Sequence, residues 1–286
     1  MTTSPGARID EVLRDARARV ALVKIESADA ELLLAHVLGK SRSWLYAHGD
    51  DVLADEPAAR FDAELARRIA GEPLAYIIGR KGFWRFELQV TPDTLVPRPE
   101  TELLVELALA HLPRDRAIDI ADLGTGSGAI ALALAYERPR ARIVAVDASP
   151  AALDVARANA HALRLPQVEF RVGDWCEPLA DERFDLIASN PPYIALGDLH
   201  LDALRFEPES ALASGRDGLD AIRAIVRGAR DHLRPGGVLL VEHGHDQGAA
   251  VHALFASAGF HGVETAQDIE QRDRVTSGRL PGGDFG

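Results

Sequence analysis

The sequence predicts a doubly wound α/β domain preceded by a small helical domain, on three observations. From Pro99 onward, strand-like and helix-like segments alternate, the pattern of parallel βαβ units with helices on both faces. Within that stretch Gly124-Thr125-Gly126-Ser127-Gly128 follows an apolar strand and opens a helix, and Asp147 ends the next strand. Before Gly79 the chain carries only helical periodicity.

Residues 1–78 form the helical domain. Ser4-Pro5 offers a cap and a first-turn proline for a helix with Ile9, Val12, Leu13 and Ala16 at helical spacing. A second helix with Leu32, Leu33, Leu34 and Val37 stops at Gly39. Ser41 caps a short third helix through Trp44 and Leu45; a fourth, 56–70, carries Phe61, Leu65 and Ile69 on one face. Residues 79–98 read as a β-hairpin joining the two domains. In it 83–90 alternates as a strand, Thr91-Pro92-Asp93 turns, and Thr94-Leu95-Val96 returns.

Residues 99–286 form the α/β domain. Its expected helices are 101–112, a run from the glycine loop through Tyr136, 150–163, 221–233 and 247–258. Its expected strands are 118–123, 142–146, 168–172, 184–189 and 237–242, with 263–266 and 274–277 closing the sheet. The tail 281–286 is expected to fray.

Of 286 residues, 47% are hydrophobic and 27% charged, a soluble globular balance with material for one large core or two modest ones. The net charge of −12, with no basic run, opposes a phosphate backbone and weighs against a nucleic-acid partner. The single cysteine, Cys176, excludes an internal disulfide framework and a Cys-only zinc site, and fits a reducing compartment. No metal site is expected. The first residues hold Pro5, Asp10, Glu11 and Asp15 rather than a secretory signal, and the longest apolar run, 129–136, is too short to span a membrane. A cytoplasmic monomer free of membrane is expected.

The glycine loop, whose helix-terminal amides are expected to face a ligand, and Asp147 suit a ligand with a ribose, whose hydroxyls would donate to the acid. On those features alone a nicotinamide enzyme and an S-adenosylmethionine enzyme are both open. Asp122 leans toward the second: a carboxylate there suits a cationic amino group and repels a pyrophosphate. Trp175, after the third strand of the α/β domain, either stacks on a base or packs in the core.

Asn190-Pro191-Pro192-Tyr193, directly after the strand 184–189, is the most informative feature. The prolines cannot extend the strand and stiffen the turn. A planar NH2 group could donate to the Asn190 side-chain oxygen and the Pro191 carbonyl, with Tyr193 over its face. That suits an amino group on a π system: adenine, guanine, cytosine or a carboxamide. Glu242, His243 and His245, near the end of a later strand, are read as supporting groups. Arg98 and Glu100 are read as structural, and Leu95 and Val96 as an apolar wall.

The tetrad with the glycine loop resembles the amino-methylating, S-adenosylmethionine-dependent methyltransferases. Leu-Val-Pro-Arg-Pro-Glu-Thr-Glu at 95–102, Asp122 to Ala131, Phe206-Glu207-Pro208 and Arg272-Asp273-Arg274-Val275 further resemble the release-factor glutamine methyltransferase family (HemK, also called PrmC). The likeness runs from about Gly71 to Arg279. It implies a Rossmann-like methyltransferase domain and methyl transfer to the side-chain amide nitrogen of the glutamine in the Gly-Gly-Gln loop of class-1 peptide chain release factors. By position it implies that Gly124, Thr125, Gly126, Ser127, Gly128, Asp147, Trp175 and Asn190 line the cofactor. Asn190, Pro191, Pro192 and Tyr193 would hold the glutamine, with Asn190, Pro191 and Tyr193 catalytic and the helical domain docking the protein substrate. The alternative is amino-methylation of a DNA adenine or ribosomal RNA guanine, for which a Lys/Arg stripe is expected and missing.

Overall fold

The computed structural model describes residues 6–114 and 116–282. They divide into two compact units, Met1–Gly79 and Arg80–Gly286. Ser4 and Pro5, and the tail from residue 283, lie outside the described residues.

The first unit holds α1 (Ile9–Leu22), α2 (Ser27–Leu38), α3 (Arg42–Ala47), α4 (Asp55–Ile69) and α5 (Leu74–Ile78). Its core is the set of apolar positions that recur at helical spacing: Val12, Ala16, Leu33, Leu45, Phe61 and Leu65 are all buried. The first helix starts at Ile9, where the Arg8 backbone N–H donates to Glu11 Oε2 at 3.1 Å. Gly39 takes a left-handed φ of 63° after α2, and Ser41 Oγ accepts from the Trp44 N–H at 3.2 Å. The short α5 escapes a periodicity search because five residues barely exceed one turn.

The second unit opens with β1 (Arg80–Phe83) and β2 (Phe86–Gln89), an antiparallel hairpin pairing Phe83 with Phe86. This corrects the expected hairpin. The reversal falls at Trp84-Arg85, and Trp84 sits at φ 56° inside the segment read as one strand. Side chains hold it there: Glu102 accepts from the Trp84 backbone N–H at 2.8 Å and Glu137 from its indole N–H at 3.0 Å. Thr94-Leu95-Val96 is no return strand, because the Val96 N–H goes to the buried Glu207 carboxylate at 3.0 Å.

The remaining elements are α6 (Thr101–His111), β3 (Asp119–Leu123), α7 (Ala129–Glu137), β4 (Arg142–Asp147), α8 (Pro150–Leu163), β5 (Val168–Val172), β6 (Phe184–Ser189), α9 (His200–Ala203), α10 (Asp220–His232), β7 (Leu233–Glu242), α11 (Gly248–Ser257), β8 (His261–Gln267) and β9 (Asp273–Arg279). The seven-stranded sheet runs β5-β4-β3-β6-β7-β9-β8. β3 to β7 are parallel, as the alternation predicts; β9 runs antiparallel to both its neighbours.

Successive strand residues serve opposite faces, so both faces bury apolar side chains. Ile120, Ile143, Leu186 and Leu240 join one core with α6 and α7, while Ala121, Val144, Ile187 and Leu239 join the other with α10 and α11. Strand order reverses between β3 and β6, and the loops leaving both converge at that switch point, where doubly wound sheets bind ligands. Among the described residues, no helix is long and apolar enough to cross a membrane.

Candidate active site

A cavity of about 430 Å³ opens at the carboxyl edge of β3, β4, β5 and β6. Gly124, Thr125, Gly126, Ser127, Asp147, Trp175, Asn190 and Pro192 all line it. A smaller cavity of about 80 Å³ is lined by Pro191 and Tyr193, and Asn190, Leu95 and Arg98 line both. The structure thus brings the predicted residues of three loops to one place. Gly128 stands apart: at φ 87°, a Cβ on it would meet Leu132 and Ala156 at 3.0–3.3 Å, so it permits close helix packing.

The glycine loop spends its amides within the protein. Gly124 and Thr125 donate to the Val146 carbonyl at 2.9 Å, Gly128 to Thr125 at 2.8 Å, and Gly126 to Asp147 Oδ2 at 2.8 Å. Four of its five N–H groups are therefore consumed, contrary to the expectation of amides facing a ligand. A pyrophosphate cradle needs those donors. Beneath the loop, Asp122 is fully buried; its Oδ2 accepts from Thr125 Oγ1 at 2.6 Å and the Ala131 N–H at 3.1 Å, and its Oδ1 has no partner. Burial pushes this carboxyl up to about 7 against those two hydrogen bonds. Asp122 does not line the cavity.

Asp147 bridges two loops, with Oδ2 on Gly126 and Oδ1 accepting from the Ser149 N–H at 2.9 Å. Burial raises its carboxyl above the usual range, opposed by those amides. Each oxygen retains a second lone pair for a hydroxyl. Trp175, at φ 45°, lays its ring on the loop: a Cβ on Gly124 would meet it at 3.3 Å. It also packs on the second core, as its packing reading expects, while the ring lines the cavity. The Cys176 thiol is buried and pushed up to about 12 by that burial, which fits a packed, inert side chain.

Asn190 donates from Nδ2 to Thr101 Oγ1 at 3.0 Å, while its Oδ1 is buried without a partner. Among the described residues, the Pro191 carbonyl accepts no hydrogen bond. Two neighbouring acceptors are thus unspent. Burial pushes the Tyr193 hydroxyl up to about 12, so it stays protonated at neutral pH. The Tyr193 carbonyl is held by Gln247 Nε2 at 3.0 Å, and a Cβ on Gly218 would collide with it. His243 is buried between Thr276 and the Gly244 carbonyl, with burial lowering its basicity.

Sequence reasoning passed over four supporting residues. Asn159 on α8 accepts from the Gln89 N–H at 2.7 Å and donates to the carbonyls of Gln89 and Ser127 at 3.0 and 2.9 Å, tying hairpin to glycine loop. An asparagine among Ala152, Leu153, Ala156 and Ala160 on a buried helix face was a legible signal. Thr101 and Glu207 stand in stretches that carry the family resemblance, but nothing local assigns them or Gln247 a role, since their partners are distant in sequence.

Two family models match the chain: the PrmC N-terminal domain over residues 11–79 and the methyltransferase small domain over 100–206. The release factor glutamine methyltransferase of Xylella fastidiosa is 56% identical over 261 residues, covering 91% of this chain and 95% of that one. The Escherichia coli protein of the same name is 46% identical over 269 residues, covering 93% and 97%. Among solved structures, a methyltransferase from Pyrococcus furiosus shares the fold, with a TM-score of 0.54 at 16% identity over 77% of this chain and 99% of that one. Near-complete overlap with the curated relatives, together with a glycine loop whose amides are spent and a tetrad whose acceptors are not, places the chain: it belongs to the release factor glutamine methyltransferase family.

Proposed function

We propose that this chain transfers a methyl group from S-adenosylmethionine to the side-chain amide nitrogen (N5) of the glutamine in the Gly-Gly-Gln motif of class-1 peptide chain release factors. The observation that carries the reading is the pair of unspent acceptors, Asn190 Oδ1 and the Pro191 carbonyl, where the two cavities adjoin. A glutamine carboxamide entering the smaller cavity can give one N–H to each.

The donor supplies an electrophilic methyl group on a sulfonium. The residues present fit it. Asp147 accepts ribose hydroxyls, Trp175 offers a ring face, and Gly124 to Ser127 wall the cavity without presenting phosphate donors. The unpartnered Asp122 Oδ1 adds negative field under a cationic ligand.

An amide nitrogen is a weak nucleophile because its lone pair is shared with the carbonyl. Asn190 and Pro191 enrich and orient that nitrogen by accepting both its hydrogens. As nitrogen gains positive charge toward the transition state, both acceptors bind more strongly, so they favour it over the ground state. Tyr193 covers the planar group. The N-methylated amide cation is acidic enough to lose its proton without a strong base.

The helical unit serves to dock the release factor, and the enzyme works as a cytoplasmic monomer. The test is transfer of labelled methyl from S-adenosylmethionine to a purified class-1 release factor, beside a Gln→Ala version of its Gly-Gly-Gln loop. Label on the parent factor alone supports the reading. Label on neither, with donor binding intact, contradicts it and turns attention to nucleic-acid bases.

A further inference from the structure

The amide of Asn190 can work as an acceptor only if it is held the right way round. Rotated by half a turn about its last bond, it would present N–H groups to the substrate's own NH2 group, donor against donor. What sets the orientation lies behind it. Glu242, at the end of β7, is fully buried, and its carboxylate faces the Thr101 hydroxyl and the Asn190 side-chain amide, both of which favour its charged form. Thr101 Oγ1 accepts from Asn190 Nδ2 at 3.0 Å, which leaves the single hydroxyl hydrogen of Thr101 for the carboxylate.

We propose, building on the amide-holding role of Asn190, that Glu242 is a positioning residue: through Thr101 it imposes a one-way hydrogen-bond chain, Asn190 Nδ2–H to Thr101 Oγ1–H to Glu242, that turns Asn190 Oδ1 toward the substrate. A carboxylate can only accept, so the chain has one direction. If Glu242 takes up a proton it can donate to Thr101, whose own hydrogen is then free for Asn190 Oδ1, and the amide turns over. Orientation of the substrate acceptor is therefore coupled to one buried proton.

The groups around Glu242 put that proton within reach. Burial dominates and pushes the carboxyl up to about 7. Arg274 on β9 opposes the shift; Glu100, just before α6, adds to it. Tyr193, after β6, also faces Glu242 and stays neutral. Arg274 itself is engaged by Asp268 at 2.8 Å. His243, just after β7, is turned to Thr276. One carboxylate oxygen, Oε2, has no partner, so a proton has a place to sit.

The test uses the full-length enzyme, labelled S-adenosylmethionine and a class-1 release factor, with Glu242→Gln, Thr101→Val and Thr101→Ser. In the parent, kcat is expected to fall on the acid side of an apparent pKa near the Glu242 value of about 7. Glu242→Gln, whose amide both donates and accepts, is expected to lower kcat at least about tenfold, leave both KM values within about twofold, and abolish that acid limb. Thr101→Ser keeps the hydroxyl and is expected to stay within about threefold of the parent, whereas Thr101→Val, of the same shape without it, falls with Glu242→Gln. Parental kcat and pH profile in Glu242→Gln, or equal loss in the Ser and Val variants, overturns the proposal. A second readout needs no substrate: the Asn190 side-chain NH2 resonances in 15N-asparagine-labelled enzyme, assigned by their loss in Asn190→Ala. They are expected to move with pH through the Glu242 titration in the parent and to be pH-independent in Glu242→Gln. Movement there without methylation of the release factor by the parent would support the chain and sink the substrate reading; methylation with static resonances would do the reverse.

Discussion

The carboxylate of Glu207 accepts from the backbone N–H of Val96 at 3.0 Å and from the guanidinium of Arg98 at 2.5 Å, joining segments 111 and 109 residues apart. Those segments are the approach to α6 and the loop beyond the tetrad, and Leu95 and Arg98 line both cavities. Glu207→Ala would leave a backbone N–H and a half-buried cation without their acceptor. It is expected to destabilise the fold by about 1–3 kcal/mol in urea unfolding. It should also raise KM for the release factor at least about tenfold, with donor affinity within about threefold by calorimetry. Parental stability and KM would show that this pair carries neither.

Asn159 closes three hydrogen bonds between β2 and the glycine loop. Asn159→Ala strands the Gln89 amide and two carbonyls in a buried site. An expected loss of about 2–3 kcal/mol follows from unsatisfied groups, accompanied by weaker donor binding because Ser127 loses its anchor. Unfolding curves and donor titration on the same preparation check both, and an unchanged affinity would remove the loop-anchoring role.

Asp147 both braces the loop and faces the cavity. Asp147→Ala is expected to weaken S-adenosylmethionine binding at least tenfold, about 1.4 kcal/mol. Isothermal calorimetry reads it directly; an affinity equal to the parent's would refute the assignment of Asp147 to the donor.

Asp122 is raised from an ordinary 3.8 to about 7 in the fold. The folded chain therefore holds this proton more tightly than the unfolded chain does, and stability falls with rising pH wherever that is so. The contribution is complete below the unfolded value and is lost as pH rises through the folded one. Glu242 shares the window. Asp122→Asn, neutral throughout, is expected to lose less stability than the parent between about pH 5 and about pH 8. Parallel unfolding profiles for the two proteins would contradict it.

Much of the second unit was legible because its central strands are buried on both faces and alternate with helices in a regular order. The 150–163 helix, with Ser149 as cap and Pro150 in its first turn, stands where the sequence put it. So do 168–172 and 184–189. The hairpin was misread because an aromatic residue in left-handed backbone defies local preference; Glu102 and Glu137 hold Trp84 there from elsewhere in the chain. Glycine, acid and tetrad were readable as residue types that chemistry needs. Their supports were not: Thr101 and Asn190 are 89 residues apart, and nothing local to either announces the other. The fate of the loop amides likewise depends on Val146 and Asp147, which only folding brings beneath them.

The central claim is that Asn190 and Pro191 hold a planar amide by its hydrogens. Single-turnover methyl transfer to a class-1 release factor by Asn190→Ala, with its melting temperature and donor affinity measured alongside, tests it most directly. The account predicts a folded variant that keeps donor affinity within about tenfold and loses transfer by about a hundredfold or more, the scale of removing one preorganised hydrogen-bonding partner of the transition state. Near-parental transfer by a folded Asn190→Ala enzyme would contradict it.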